Sequence, residues 1–285
     1  MSLRAIYDVP APAKINLFLH VVGRRPDGYH LLESAFMLID WCDTLHFELR
    51  TDGQVLRHDL GVALPQVDLC IRAAQALKAR TGSRLGVDIS IRKQIPPQAG
   101  LGGGSSDAAT TLLALIHLWD LKITPEQLMA VGMALGADVP FFLFGKNAWV
   151  GGVGEQLQAI ELPPARWLVI KPDQGLETAR IFADPDLRRD SQAAIMPDFS
   201  EHAYSYGQND LQEVAQRYCP GVKIAMDWLA GAGLQGRMTG SGSAVFAQVL
   251  GDKEIDMSSC PFAYRFCENL QAHPLWGWAQ AEGLR

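Results

Sequence analysis

Cysteine is scarce in this chain, and its few cysteines are scattered. The 285 residues contain five, at positions 42, 70, 219, 260 and 267. No C-x-x-C pair, Cys/His cluster or carboxylate/His cluster has the spacing of a metal site. An odd number of isolated cysteines favours reduced thiols over a disulfide framework, which predicts a cytoplasmic protein. The pattern therefore argues against a metal hydrolase and against a disulfide-rich secreted domain.

A positive charge excess and a long apolar run are also missing. The formal net charge is −6, so no broad basic surface is available for nucleic acid. The longest apolar runs, such as residues 139–143, are far shorter than the roughly 20 residues that cross a bilayer. The first residues lack the apolar core of a signal peptide. We therefore expect no nucleic-acid partner and no membrane partner.

The composition is that of a globular protein, with 48% apolar and 20% charged residues. This length is sufficient for two domains. The glycine-rich turn at residues 151–154 marks the boundary, so we predict domains at 1–154 and 155–285. Within the first domain, helices are predicted over residues 68–80, with Asp68 as a cap, and from a Thr-Pro-Glu-Gln capping box at Thr124 to about residue 135.

The most informative segment is the glycine-rich stretch at residues 96–107, PPQAGLGGGSSD. Alternating apolar residues at 87–91 predict a strand before it, and apolar residues at three- and four-residue steps from Ala108 predict a helix after it. Glycines let backbone N–H groups approach a ligand, and a helix N-terminus adds unpaired donors and partial positive charge. This order predicts a phosphate site. The alternative is a flexible loop whose serine caps the helix.

The stretch matches none of the commonest phosphate motifs. A P-loop requires a lysine directly before its Ser or Thr, and no lysine precedes Ser105 or Ser106. Dinucleotide-binding and protein-kinase loops require a third glycine at the sixth position, which here, counted from Gly100, is Ser105. A second glycine–serine segment, RMTGSGSAVFA at residues 237–247, is either an ordinary turn or a loop that closes over phosphates. These patterns predict a nucleotide site of another design.

Two charged residues in apolar surroundings are candidates for chemistry. Lys14 lies between an Ala-Pro-Ala turn and an apolar strand, where a lone lysine is unusual. It either lines a cleft or extends its ammonium to solvent. Asp138, in the otherwise apolar residues 136–142, either accepts backbone N–H bonds in a turn or accepts the proton of a substrate hydroxyl.

Aromatic and imidazole groups after the turn at residues 24–28 are candidates for a nucleobase site. Tyr29 and His30 could stack on a base and hydrogen-bond to it. The alternative is a surface tyrosine with a solvated histidine. Phe182 is predicted by its apolar pattern to belong to the core.

Five motifs together resemble the GHMP small-molecule kinases. In order they are residues 12–17 (PAKINL), 26–30 (PDGYH), 99–106 (AGLGGGSS), 136–140 (GADVP) and 239–242 (TGSG). The resemblance extends from about residue 10 to residue 250. The glycine–serine motif alone indicates only the superfamily. The PAKINL and DGYH motifs indicate members whose acceptor carries a cytidine diphosphate group.

The resemblance implies a two-domain α+β GHMP kinase fold with the active site in the cleft between the domains. The N-terminal domain would contain a left-handed βαβ crossover, an exception to the usual handedness, and the C-terminal domain would be ferredoxin-like. The implied reaction transfers the γ-phosphate of ATP, accompanied by Mg²⁺, to the 2-hydroxyl of a methylerythritol acceptor in the non-mevalonate isoprenoid pathway. No protein side chain is assigned as a metal ligand, and the protein would be a monomer or a homodimer.

The resemblance also implies roles for single residues. Lys14 would stabilise charge at the acceptor and γ-phosphate, Asp138 would orient or deprotonate the hydroxyl, and Asn16 would help position the substrate. The residues that would hold ATP are Pro96, Pro97, Gln98, Ala99, Gly100, Leu101, Gly102, Gly103, Gly104, Ser105 and Ser106. The residues that would contact the cytidine are His30 at the base edge, Tyr29 and Phe182 on its faces, and Thr178.

Two other interpretations compete with this one. A GHMP kinase for homoserine, mevalonate or a sugar is disfavoured by Tyr29 and His30, because those acceptors carry no nucleobase. A nucleotide-binding protein without catalysis is disfavoured by the presence of both Lys14 and Asp138.

Two positions depart from the pattern expected of relatives. Asp107 and Asp68 stand where asparagine is familiar. A carboxylate at residue 107 favours the helix dipole but repels phosphate. We expect it to point away from the nucleotide and to cap backbone N–H groups. Lys93 is expected near the nucleotide.

Overall fold

The computed structural model describes residues 3–66, 68–251 and 253–280. Its strands form two sheets. The first contains β1 (Ala5–Arg24), β2 (His30–Arg50), β3 (Val55–Asp59), β4 (Gly86–Arg92), β5 (Ala148–Gly151) and β6 (Gln156–Ala159). Its order is β3-β4-β2-β5-β6, with β1 paired to β2. The second contains β7 (Arg166–Lys171), β8 (Gly236–Met238), β9 (Val245–Val249) and β10 (Ala263–Glu268), in the order β10-β7-β9-β8.

The helices cover both sheets. They are α1 (Leu69–Thr81), α2 (Gly103–Leu118), α3 (Pro125–Leu135), α4 (Val139–Phe144), α5 (Thr178–Ala183), α6 (Met196–Glu201), α7 (Gln212–Tyr218), α8 (Pro220–Gly231) and α9 (Trp276–Gln280). Strands β3 and β4 pair in parallel across a connection that contains α1, which makes a βαβ unit. In the part of the chain that the structure describes, no helix is long and apolar enough to cross a membrane.

The long hairpin of β1 and β2 carries most of the candidate residues. Its turn is closed by an N–H···O bond of 2.7 Å from Arg25 to Tyr29 and contains Gly28 at φ 92°, a conformation that favours glycine. The register pairs Lys14 with Leu38 and places the two strands antiparallel over most of their length. Strand β2 is continuous over all 21 of its residues.

Helix α2 begins earlier than the apolar pattern predicts. It begins at Gly103 behind an αL cap at Gly102, so both serines lie in its first turn and neither caps it. Apolar periodicity detects only the part of a helix that faces the core, and this N-terminal turn is made of glycine and serine. The predicted caps of α1 and α3 are confirmed: Asp68 accepts from the N–H of Ile71, and a capping box lies at Thr124.

Three groups of buried side chains hold the layers together. One lies between the first sheet and helices α1 to α4, and another lies between the second sheet and helices α7 and α8. The third joins the two sheets, with Ile15 and Met37 on one side and Val169 and Phe246 on the other. Strand β6 continues the first sheet to Ala159, beyond residue 154; the domain boundary at that residue stays a prediction.

Candidate active site

The two glycine–serine segments lie directly against each other. A Cβ on Gly100, at φ +74°, would lie 2.2 Å from the carbonyl oxygen of Thr239, and one on Gly240 would lie 3.0 Å from the carbonyl oxygen of Gly100. The N–H of Ala244 donates to the carbonyl of Ala99 at 3.1 Å. Only glycine allows this approach. The segment at 237–247 is therefore part of the same site as the stretch at 96–107, rather than an isolated turn.

The N-terminus of α2 offers free backbone donors at this site. The N–H of Ser106 donates to the carbonyl of Gly102 at 2.9 Å, which is the first bond of the helix. The N–H groups of residues 103–105 therefore have no acceptor within α2. A Cβ on Gly102 would lie 3.2 Å from Cγ of Lys14, so the helix terminus adjoins that lysine. Such a terminus next to a cation is suited to phosphate.

Lys14 is buried, and its ammonium lies among polar partners. Its side-chain nitrogen lies 2.6 Å from Oδ1 of Asn16, 3.6 Å from Oδ2 of Asp138 and 4.6 Å from the ring centroid of Phe36. Its backbone N–H donates to the carbonyl of Leu101 at 3.0 Å, which ties β1 to the glycine loop. Burial lowers the pKa of Lys14, and Asp138 opposes this. The ammonium lines the site and does not extend to solvent.

Asp138 faces Lys14 from the start of α4. Its side chain is 34% exposed, whereas that of Lys14 is 4% exposed. Among the described residues of α4, none donates a backbone N–H to this carboxylate as a helix cap. The structure therefore does not support the alternative in which Asp138 only accepts backbone N–H bonds in a turn. A partly exposed carboxylate beside a buried ammonium is able to accept a proton from a hydroxyl group.

Asn16 joins three segments that are distant in sequence. Its backbone N–H donates to Oγ1 of Thr239 at 2.9 Å, and its Nδ2 donates to Oγ of Ser34 at 3.1 Å. Ser34 in turn donates to the carbonyl of Phe18. Sequence reasoning missed Ser34, although a serine within an apolar strand was the available signal. The network fixes the amide oxygen that Lys14 contacts.

The candidate nucleobase residues are partly brought together. The rings of His30 and Phe182 have centroids 5.0 Å apart at an interplanar angle of 31°. Tyr29 is 66% exposed at the hairpin turn. Oγ1 of Thr178 lies 2.7 Å from Oγ of Ser241, so this threonine adjoins the second glycine–serine segment. Phe182 is partly buried and packs against the hydrophobic core of the second sheet. It can therefore belong to that core, as its apolar pattern predicts, and still lie beside His30.

An arginine that sequence reasoning missed contacts the imidazole. Nε of Arg189 donates to Nε2 of His30 at 3.1 Å. Burial lowers the pKa of His30, and the charges of Arg189 and Arg24 lower it further. No motif marks Arg189, because it lies in the polar segment after α5 and meets His30 only through the fold.

The prediction for Asp107 was wrong in one respect. Oδ2 of Asp107 lies 2.5 Å from the ammonium of Lys93 and caps no backbone N–H among the described residues. Lys93 also contacts Asp43, which accepts the N–H of Ile95 at 2.8 Å. A buried ammonium is a stronger partner for a carboxylate than a backbone amide. Burial raises the pKa of Asp107 to about 8, although Lys93 opposes this.

Asp68 has a structural environment of its own. It caps α1 and lies 3.1 Å from Nη1 of Arg57. Both carboxylate oxygens therefore have partners, Oδ1 in the N–H of Ile71 and Oδ2 in the guanidinium.

The chain is similar to known kinases over nearly its whole length. Residues 68–146 match the family model for the GHMP kinases N terminal domain, and residues 187–255 match that for the GHMP kinases C terminal domain. The 4-diphosphocytidyl-2-C-methyl-D-erythritol kinase of Albidiferax ferrireducens is 60% identical over 282 residues, which cover 99% of this chain and 98% of that protein. The protein of the same name from Polaromonas naphthalenivorans is 56% identical, with 97% of each chain covered.

Solved structures agree with these matches. A crystal structure of 4-(cytidine 5'-diphospho)-2C-methyl-D-erythritol kinase has a TM-score of 0.77 and 32% identity, and the match covers 92% of this chain and 98% of that one. The mevalonate kinase of Methanococcus jannaschii has a TM-score of 0.67 at 15% identity, with 94% of this chain and 99% of that one covered. The second likeness concerns the fold alone, and together they bear out a two-domain α+β GHMP kinase fold.

Proposed function

This chain belongs to the 4-diphosphocytidyl-2-C-methyl-D-erythritol kinases of the GHMP family, a group of small-molecule kinases, and on that premise we propose how its site works. The reaction transfers the γ-phosphate of ATP to the 2-hydroxyl of 4-diphosphocytidyl-2-C-methyl-D-erythritol, a step of isoprenoid biosynthesis. The observation that carries the proposal is one juxtaposition: the ammonium of Lys14 lies 3.6 Å from the carboxylate of Asp138, and the stem of the same side chain adjoins the N-terminus of α2.

The backbone at residues 96–106 holds the phosphates of ATP. The N–H groups of residues 103–105 donate to phosphate oxygens, and the α2 dipole favours their negative charge. The close contact between Gly100 and Thr239 keeps the loop in one conformation. Preorganised donors of this kind need no rearrangement when charge develops during transfer.

Lys14 and Asp138 act on the acceptor. The hydroxyl oxygen attacks the γ-phosphorus, the bond from that phosphorus to the bridging oxygen of ADP breaks, and the hydroxyl proton passes to the carboxylate of Asp138. Phosphoryl transfer depends mainly on positioning and on neutralising charge. Lys14 supplies the charge, and its bond of 2.6 Å to Asn16 sets the position of its ammonium.

Mg²⁺ fits this site as part of the ATP complex. Among the described residues, no three His, Cys, Asp or Glu side chains stand together as a metal site. Mg²⁺ keeps several waters and binds through substrate phosphates, so the donor set here matches a metal that arrives with the nucleotide. When bound, it neutralises phosphate charge.

The cytidine end of the acceptor binds between the hairpin turn and α5. His30 contacts the edge of the base, Phe182 and Tyr29 contact its faces, and Thr178 contacts the nucleoside near Ser241. Stacking on an aromatic ring contributes about 1–3 kcal/mol per base in nucleic-acid complexes. Because both substrates are nucleotide metabolites, we place the enzyme in the cytoplasm, and it acts as a monomer or a homodimer.

A direct assay tests the proposal. The purified protein is expected to convert ATP to ADP when 4-diphosphocytidyl-2-C-methyl-D-erythritol is supplied, with ³¹P NMR showing a new phosphate monoester on the acceptor. Homoserine, mevalonate and galactose serve as competing acceptors. Turnover of one of these in place of the cytidyl compound would contradict the substrate assignment, and ATP binding without any transfer would contradict the enzymatic role.

A further inference from the structure

Arg189 uses its whole guanidinium group to join the two sides of the candidate nucleobase site. Its Nε donates to Nε2 of His30 at 3.1 Å. Its other hydrogen bonds to described residues go to main-chain oxygens at the end of α5 and directly after it: Nη2 donates to Asp184 at 2.7 Å and Phe182 at 3.2 Å, and Nη1 donates to Leu187 at 2.9 Å and Pro185 at 3.4 Å. Arg189 therefore fixes His30 of the hairpin against Phe182, whose ring faces the imidazole.

The contact with Arg189 determines where His30 carries its proton. An arginine guanidinium stays protonated in proteins and only donates hydrogen bonds. Nε2 of His30 must therefore accept with its lone pair, which leaves the proton of the neutral ring on Nδ1. The charged groups near this ring are Arg189, on the segment after α5, and Arg24, at the end of β1. Both disfavour a second proton, as does burial, and together they lower the pKa of His30.

We propose that Arg189 is a positioning residue that makes the nucleobase site selective for cytosine, because it holds His30 as the Nδ1–H tautomer. This inference rests on the proposed function, in which His30 contacts the base. A ring held in this way presents an N–H donor to the base. N3 of cytosine is an acceptor, whereas N3 of uracil carries a hydrogen, so the donor matches cytosine and opposes uracil at that position. Arg189 also holds the main chain at Phe182, and thus the position of the stacking ring.

The tautomer is measured first, without any substrate. Two-bond ¹H–¹⁵N spectra of the imidazoles distinguish the two tautomers, and loss of one signal in His30→Gln assigns the peak. The wild type is expected to show Nδ1–H at His30, and Arg189→Met is expected to shift the ring towards Nε2–H. An Nε2–H tautomer in the wild type would overturn the proposal, even if the variant did not fold.

Discrimination between bases is measured second. The matched control is Arg188→Met, which changes the adjacent arginine, whose side chain is 62% exposed and lies 3.7 Å from Asp190. Arg189→Met is expected to raise KM for the cytidyl substrate about tenfold, as for a lost hydrogen bond, with kcat and KM for ATP little changed. The ratio of kcat/KM for the cytidyl substrate to that for its uridyl analogue is expected to fall by a similar factor. For Arg189→Lys, which keeps the charge and donor hydrogens, we expect a ratio between that of the wild type and that of Arg189→Met.

The outcomes distinguish a failure of this inference from a failure of the proposed function. Equal loss of both kcat/KM values in Arg189→Met, with the ratio unchanged, would mean that Arg189 only supports the fold, and the inference would fail. A wild-type protein that ignores the cytidyl substrate would contradict the proposed function instead, and the NMR result would still decide the tautomer.

Discussion

Two lysines that are largely shielded from solvent, Lys14 and Lys93, lie near the glycine loop, and their surroundings differ in one respect. Among the described residues, Lys14 pairs with one carboxylate, that of Asp138, which is itself 34% exposed. Lys93 contacts the carboxylates of Asp43 and Asp107, whose side chains are 0% and 5% exposed. The ammonium of Lys14 therefore faces one partly solvated carboxylate, and that of Lys93 lies between two buried carboxyl groups.

The surroundings shift the pKa values of the two lysines in opposite directions. Burial lowers the pKa of Lys14, and Asp138 does not overcome it. Burial acts in the same sense on Lys93, but the attraction of Asp107 and Asp43 outweighs it and raises the pKa of that lysine. A cation that is incompletely neutralised by the protein can gain energy from an incoming phosphate. A cation already held by two carboxyl groups of the protein stabilises the scaffold instead.

The largest effect is expected from removing the incompletely neutralised charge. Lys14→Met should lower kcat by roughly 10³-fold, since one preorganised charge or proton acceptor contributes about 10²–10⁴-fold in comparable sites. Asp138→Asn should lower kcat by a similar factor. Stability should change little, because the remaining Asp138 carboxylate is partly solvated. Steady-state kinetics and thermal melts measure the two quantities.

The control for this prediction is Lys122→Met, which removes an exposed lysine and its charge. It should leave kcat unchanged. If Lys14→Met or Asp138→Asn kept a rate near that of the wild type, the role assigned to that residue would be wrong, and the two lysines would no longer differ in function.

A smaller effect, on stability, is expected at the other lysine. Lys93→Met should lower the free energy of unfolding by about 3 kcal/mol, because loss of the ammonium leaves the buried carboxylate of Asp43 without its counter-charge. Urea denaturation at pH 7 measures it, with Lys14→Met as the matched variant. A cost for Lys93→Met no larger than that for Lys14→Met would remove the distinction drawn between them.

The sequence predicted the conformation of the glycine loop more directly than its long-range contacts, because closely spaced glycines have a local conformational meaning. Closely spaced glycines at Gly100 and Gly102 indicate positive φ and close approach wherever the rest of the chain lies. Lys14 and Asp138 were found as charges in apolar surroundings, although their pairing lies between residues more than a hundred positions apart. The motif resemblance supplied the link that spacing could not.

Other features depend on long-range contacts that leave no local pattern. The partner of Asp107 is Lys93, 14 residues earlier, and the pair is completed by Asp43 from β2. No residue near Asp107 in the sequence indicates whether its carboxylate caps a helix or joins this buried cluster. Arg189 reaches His30 across 159 positions. Such contacts follow from strand register and from the packing of the two sheets, which local propensity does not determine.

The smallest effect tests whether the second carboxylate beside Lys93 is costly to ionise. Oδ1 of Asp107 is buried without a hydrogen-bond partner among the described residues, and burial raises the pKa of this carboxyl from 3.8 to about 8. Between those values the folded protein holds a proton that the unfolded chain has released, so wild-type stability should fall as pH rises. Lys93, whose pKa is raised, stays protonated throughout this window.

Asp107→Asn removes that titrating group. The free energy of unfolding of this variant, relative to that of the wild type, should therefore rise between pH 6 and pH 7 by on the order of 1 kcal/mol, the free energy of about one pKa unit. Urea denaturation at both pH values measures it. Asp52→Asn is the control, because Arg50 holds the pKa of that exposed carboxyl at about 2, below the window. A flat difference for Asp107→Asn would show that Lys93 keeps the Asp107 carboxylate ionised, and the proposed cost of charging this buried group would be wrong.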